Sequence, residues 1–120
     1  MALAVVSPAR ATEAASLIDA ASACTQAGDR CIAHCLSQFA AGDTMLAACA
    51  KSVQQMVVAC GAVAKLAALE SSHLPGFVRT CRDVCSDCEK ECRKHAAHHD
   101  VCRACADTCL AFLKASERPT

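Results

Sequence analysis

The sequence predicts an all-α protein, an antiparallel up-down-up-down four-helix bundle with a cysteine-lined core. Three observations lead there. Alanine is abundant while Gly and Pro number only four and three. Apolar residues return at steps of 3, 4, 7 and 11, which keep side chains on one face of an α-helix. The breaks between these stretches are short, and short connections set neighbouring helices antiparallel. All twelve cysteines lie on the helical repeat. They are Cys24, Cys31 and Cys35; then Cys49 and Cys60; then Cys81, Cys85, Cys88 and Cys92; and last Cys102, Cys105 and Cys109.

The first helix is expected to start at Thr12, a good N-cap, with Glu13 favourable in the first turn. Its inward stripe runs through Leu17, Ala21, Cys24, Gly28, Cys31, Cys35 and Phe39. Gly28 lies on that stripe and reads as a close-packing or space-making glycine inside a continuous helix, at a cost of about 1 kcal/mol relative to Ala. Gly42 and Asp43 end this helix, and Asp43 or Thr44 caps the next. The second stripe holds Leu46, Cys49, Val53, Met56, Cys60, Val63 and Ala67. From Met56 to Leu69 this helix is apolar nearly all round, so it is expected to pack against a second subunit as well.

Pro75 suits the first turn of the third helix, whose seam is Val78, Cys81, Cys85, Cys88, Cys92 and His95. Asp100 is the expected cap of the fourth, which turns Cys102, Cys105, Cys109 and Phe112 inward and ends near Glu117. In this topology Met45, His95, His98 and His99 gather at one pole, with His34 two turns further in. The other pole receives Leu17, Leu69, Leu74 and Phe77. The division is therefore residues 12–117 as the bundle and residues 1–11 as a separate start. That start closes on Ala9-Arg10-Ala11, which looks like an A-x-A cleavage site, but has no charged n-region before it. The expectation is a cytoplasmic chain, or else an exported one with residues 1–11 as the remnant of a signal.

Composition removes several functions. Twelve Lys and Arg balance twelve Asp and Glu, so no basic field attracts nucleic acid or an anionic membrane. Three Phe with no Trp or Tyr leave no stacking platform for bases. No apolar run comes near the roughly 20 residues of a membrane span.

The cysteines carry the chemistry. Pairs four apart (Cys31/Cys35, Cys81/Cys85, Cys88/Cys92, Cys105/Cys109) and three apart (Cys85/Cys88, Cys102/Cys105) place β-carbons roughly 5–6 Å apart on a helix. Two thiolates can then share one metal across about 4–5 Å, from a bond near 2.3 Å. Soft thiolates select Cu(I), zinc or iron–sulfur clusters, and Cu(I) accepts two or three sulfurs. A disulfide scaffold fits poorly, because such domains are loop-rich with irregular spacings. Ferredoxin cysteines wrap a cluster from a loop, whereas charged residues fill the outward helical positions here. Glu89 and Ala106 follow the two C-x-x-C pairs, which excludes covalent haem. A structural zinc site needs four converging ligands, not twelve along four seams. Zinc or cadmium storage stays open, and so does a helical interaction module whose cysteines only pack or bridge. No acidified, exposed thiol suggests an enzyme. His34 and His95 are ligands near the mouth or solvated side chains; His98 and His99 read as surface residues. Met45 and Met56 offer thioethers, with core packing the stronger reading for Met56.

Cys31-Ile32-Ala33-His34-Cys35, Ala59-Cys60-Gly61-Ala62-Val63-Ala64-Lys65-Leu66 and the run from Cys81 to His95 followed by Cys102, Cys105 and Cys109 resemble the bacterial copper storage proteins. The resemblance covers residues 12–113. It implies a four-helix bundle whose core thiolates hold multiple Cu(I) ions, commonly as a homotetramer, with a dimer as the alternative. It also implies ion uptake and release at a His- and Met-bearing end. On this resemblance the twelve cysteines match ligand positions, His34 the mouth histidine, and Met45 a single remaining methionine of the port.

Overall fold

The computed structural model describes residues 8–117 and holds four helices, α1 (Pro8–Ala40), α2 (Ala47–Ala68), α3 (Leu74–Arg93) and α4 (Asp100–Ala115). Each helix packs on two neighbours around a square, α1 on α2 and α4, α3 on α2 and α4. Contacts fix the direction of every pair. Gly28 lies against Val53, Met56 and Val57, and Cys31 and Cys35 lie beside Cys49, between α1 and α2. Cys49 meets Cys92, and Cys60 meets Cys81, between α2 and α3. Arg82 reaches Leu113 and Ser116, while Arg93 reaches Asp107, between α3 and α4. Cys24 bonds Thr108, and His34 bonds His99, between α1 and α4. In each pair rising numbers meet falling ones, so all four neighbours run antiparallel.

Helix ends differ in detail from the sequence reading. Helix α1 begins at Pro8, not Thr12, and so takes in residues 8–11; residues 1–7 lie outside the described residues. Proline fits the first helical turn because its missing N–H is unneeded there and its φ is already helical. Thr12 is then interior, its Oγ1 donating to the Pro8 carbonyl at 2.9 Å. With 33 residues, α1 is roughly 50 Å long and overhangs its partners, which explains why residues 8–13 are exposed. At its other end Gly42 adopts φ 87°, Asp43 N–H donates to Gln38 and Gly42 N–H to Phe39, a Schellman ending. Asp43 caps a turn instead of α2: its Oδ1 accepts from Met45 N–H, and Leu46 occupies the N-cap. Likewise His99, in extended conformation, is the N-cap of α4, and Asp100 stands in its first turn.

The core is sulfur with a little hydrocarbon. Every cysteine is buried to within one per cent of its surface. Ala21, Leu46, Val53, Met56, Val63, Ala106 and Phe112 complete the interior. Ser116 is the one buried polar residue among the described residues, donating to the Phe112 carbonyl and receiving Arg82. Helix α2, at 22 residues, is long and apolar enough to cross a membrane by length and composition alone, contrary to the expectation from the sequence. Its inner stripe is taken up by the core, and Lys51, Gln54, Gln55 and Lys65 are exposed on the remainder.

Gly28 is the close-packing residue that its place on the stripe suggests. A Cβ there would lie 2.5 Å from Val57 Cγ2 and 2.9 Å from Met56 Cε. Overpacking costs about 1–3 kcal/mol, partly offset by about 1 kcal/mol of helix propensity. Gly28→Ala is therefore expected to destabilise by about 1 kcal/mol net in urea denaturation; a gain in stability would show that α1 and α2 are free to separate.

Candidate metal centre

The four seams bring the thiols together in a continuous file. Cys60 Sγ lies 3.6 Å from Cys81 Sγ and 3.5 Å from Cys85 Sγ, and Cys81 to Cys85 is 3.9 Å. Further along, Cys49 to Cys92 is 3.6 Å and Cys88 to Cys92 is 3.9 Å. Five groups of three with all sulfurs within 4.8 Å of one another form a run. They are Cys60/Cys81/Cys85, Cys24/Cys85/Cys109, Cys88/Cys105/Cys109, Cys31/Cys92/Cys105 and Cys31/Cys35/Cys49. Successive groups share one sulfur. Cys102, outside these groups, lies in the same neighbourhood, where it interacts with Cys31 and Cys49.

These separations suit a soft ion in trigonal coordination. With bonds near 2.3 Å, three sulfurs around one ion sit about 4 Å apart. The backbone needs no movement to supply that. All twelve cysteines are free thiols.

Ionisation inside the file is uneven because neighbouring thiols must donate to one another. Cys81 is held down at about 5, chiefly by the hydrogen bond from Cys60 and then by that from Cys85. Cys92 is likewise held at about 5 by Cys105, then Cys31 and Cys49. Burial pushes Cys35 and Cys102 up to about 12, with the nearby charge of Cys31 adding to it. Among the described residues no Lys or Arg is buried to neutralise further thiolates. A core that cannot tolerate many bare negative charges can hold many thiolates only if cations come in with them.

The two ends differ as the topology requires. At one, His34 Nε2 and His99 Nδ1 are 2.9 Å apart, with ring centroids at 5.0 Å. His34 is thus level with His99 and not two turns deeper. His95, half-buried, stands four residues before His99, its Nε2 3.8 Å from Glu91 Oε1. Met45 is 71% exposed on the turn before α2, and His98 is exposed. Met56 is wholly buried, its methyl against Gly28. The other end is closed by Ala21, Val63 and Phe112, none of them exposed.

The sequence reading missed His99 as half of an imidazole pair and Thr108 as the carbonyl that accepts from Cys24 at 3.1 Å. His99 was findable: it precedes Cys102 by three residues and so continues the α4 seam.

Two comparisons bear on this site. The chain is similar to an uncharacterized cysteine-rich protein, YhjQ, of Bacillus subtilis (strain 168), with 29% identity over 89 residues, 74% of this chain and 79% of the relative. The sequence profile of the copper storage proteins matches residues 10–119. A helical bundle with twelve interior thiols and a match over nearly its whole length belongs to the copper storage protein family.

Proposed function

We propose that this chain stores and buffers Cu(I), holding many ions on its twelve core thiolates and taking them up at the His34/His99 end. The observation that carries this reading is the run of five three-sulfur groups linked through shared cysteines. Cu(I) accepts two or three soft sulfurs, so each group is a complete ligand set. A tetrahedral zinc site would want a fourth ligand, which none of these groups contains. Charge points the same way. One monovalent ion per thiolate leaves the interior neutral, which puts capacity on the order of a dozen ions per chain. His34 and His95 serve arriving ions as nitrogen ligands, and Met45, exposed at the same end, offers a thioether on the outside.

The test is an anaerobic titration of reduced protein with Cu(I) against a competing chelator. Uptake near one ion per cysteine supports storage. Saturation near half that number with Zn or Cd, and no preference for Cu(I), favours the general thiolate sink, because a divalent ion is balanced by two thiolates. Uptake of one or two ions leaves the packing module. The same titration reads proton release. At neutral pH, Cys35 and Cys102, pushed up to about 12, must each give up a proton to bind, whereas Cys81 and Cys92, near 5, need not. Loading therefore acidifies the solution and weakens as pH falls; affinity unchanged between pH 7.5 and 5 would count against thiolate ligation.

Three further readings go with storage. Residues 12–117 are the metal-binding unit, and it works in the cytoplasm or, as the alternative, after export. A homo-oligomer, tetramer or dimer, is supported by Val58, Leu69 and Phe77, exposed at 73%, 64% and 48%. An apolar groove between α2 and α3 is lined by Val58, Ala59, Ala62 and Phe77. Sedimentation of the full chain as a monomer at all concentrations would remove the oligomer.

A further inference from the structure

We propose that the groove between α2 and α3 is a side port at which small thiols exchange Cu(I) with the inner sulfurs, and that Cys81 is its contact sulfur. The inference rests on the storage reading and adds a second route of exchange to it.

Cys81 differs from the other cysteines in where it stands. It retains 1% of its surface where every other is wholly buried, and it forms part of the groove wall. Phe77 stands one turn before it on α3, and across the groove α2 presents Ala59 and Ala62, whose side chains are too short to cover the sulfur. The cavity so left measures about 490 Å³, within the roughly 300–1,000 Å³ of small-molecule sites. Val58 and Phe77 make its walls apolar, while Gln54, Gln55 and Thr80 offer amides and a hydroxyl to the polar part of a visitor.

Behind Cys81 lies a complete ligand set. Its Sγ is 3.6 Å from Cys60 Sγ and 3.9 Å from Cys85 Sγ. This group lies deep. Cys60 is about 16 Å beyond Cys49 along α2, at about 1.5 Å per residue, and the near end of the bundle is filled by Ala21, Val63 and Phe112. In a filled file an ion here leaves by the imidazole end only after those ahead of it have moved. From the groove, Cys81 is met directly. So little of it is uncovered that the visitor must bring its sulfur on a slender arm. A low-molecular-weight thiol has that shape, and a folded protein surface does not. The visiting thiol gives its proton to Cys81 as the copper–Cys81 bond breaks and a bond from copper to the new sulfur forms; copper stays Cu(I). The same exchange at Cys60 and Cys85 frees the ion, and the reverse sequence loads it.

The test alkylates reduced, metal-free full chain with iodoacetamide and reads the labelled cysteines by peptide mass at the stage of one label per chain. Among Cys60, Cys81 and Cys85, which share one group, the label is expected on Cys81. Ala62→Phe fills the groove without touching a sulfur and should slow labelling of Cys81 roughly tenfold while leaving that of Cys35 unchanged. Phe77→Ala widens the groove and should speed Cys81, which decides the matter if Ala62→Phe does not fold by circular dichroism. In copper-loaded protein, reduced glutathione should accelerate release of copper to an excess of chelator, and Ala62→Phe should remove most of that acceleration. Equal labelling of the three sulfurs, a Cys81 rate indifferent to both variants, or glutathione-driven release indifferent to Ala62→Phe would each overturn the port and leave storage standing. Protection of Cys81 at every protein concentration would make the groove a subunit interface and overturn the port as well, whereas protection that fades on dilution supports a port that assembly closes. Saturation of the wild type at one or two ions would overturn storage whatever the labelling shows, and the port with it.

Discussion

Phe112→Ala is expected to lower the stability of the empty protein by about 3–5 kcal/mol, a large part of the roughly 5–15 kcal/mol that a domain this size has. The size of the effect follows from what the core is made of. Twelve interior positions hold cysteine, which buries little area per side chain. The large fully buried side chains apart from cysteine are Phe112, Leu46, Met56, Val53 and Val63. Hydrophobic stabilisation scales with apolar area removed from water, so these few positions carry a share out of proportion to their number. Phe112 is the largest of them and closes the end of the bundle where α4 meets α1 and α3. Its loss leaves a cavity that the surrounding helices, pinned by Gly28 on α2 and by Arg82 on the α4 terminus, cannot easily collapse into. Urea denaturation of reduced, metal-free protein measures it. A loss below about 1 kcal/mol would mean that the closed end is not packed on Phe112.

Much of this architecture was readable beforehand because the signal was redundant. Four stripes of cysteine at helical spacing named the inward face of every helix, and Gly28, on one of those stripes, named the closest approach between two of them. Helix ends were less readable. Thr12 and Asp43 both have the right chemistry for an N-cap, but Pro8 already satisfies the geometry of a first turn, and Asp43 is used by the turn that follows Gly42. Local propensity offers several acceptable ends, and the tertiary fit chooses among them. The mouth was half readable. His34 follows from its place beside Cys35, whereas pairing it with His99 requires knowing how far α4 extends along α1. Met45 illustrates the converse: sequence position brings it to the right end, while the backbone of the turn points it outward.

Filling the core with Cu(I) is expected to stabilise the fold by more than any single substitution can remove. An ion that binds the native chain more tightly than the unfolded one adds the difference to folding stability. The unfolded chain keeps its twelve cysteines and binds copper too, so what matters is the advantage of the preformed groups. If preorganisation improves each site tenfold, a dozen ions add about 16 kcal/mol, since each tenfold is worth about 1.4 kcal/mol. The native groups have reason to reach that. Their sulfurs are already 3.5–3.9 Å apart where paired, the helices hold them there, and shared cysteines let one ordered side chain serve two ions. An unfolded chain must order several flexible loops for each ion it captures. Binding also replaces protons on thiols that burial and neighbouring charge hold protonated, relieving the frustration of the empty interior. Comparing guanidinium midpoints of empty and loaded protein under anaerobic conditions tests this, with removal of copper by a strong chelator as the return step. Equal midpoints would show that the unfolded thiols hold copper as well as the bundle does. The helices would then contribute solubility and shape to the stored metal, and no affinity.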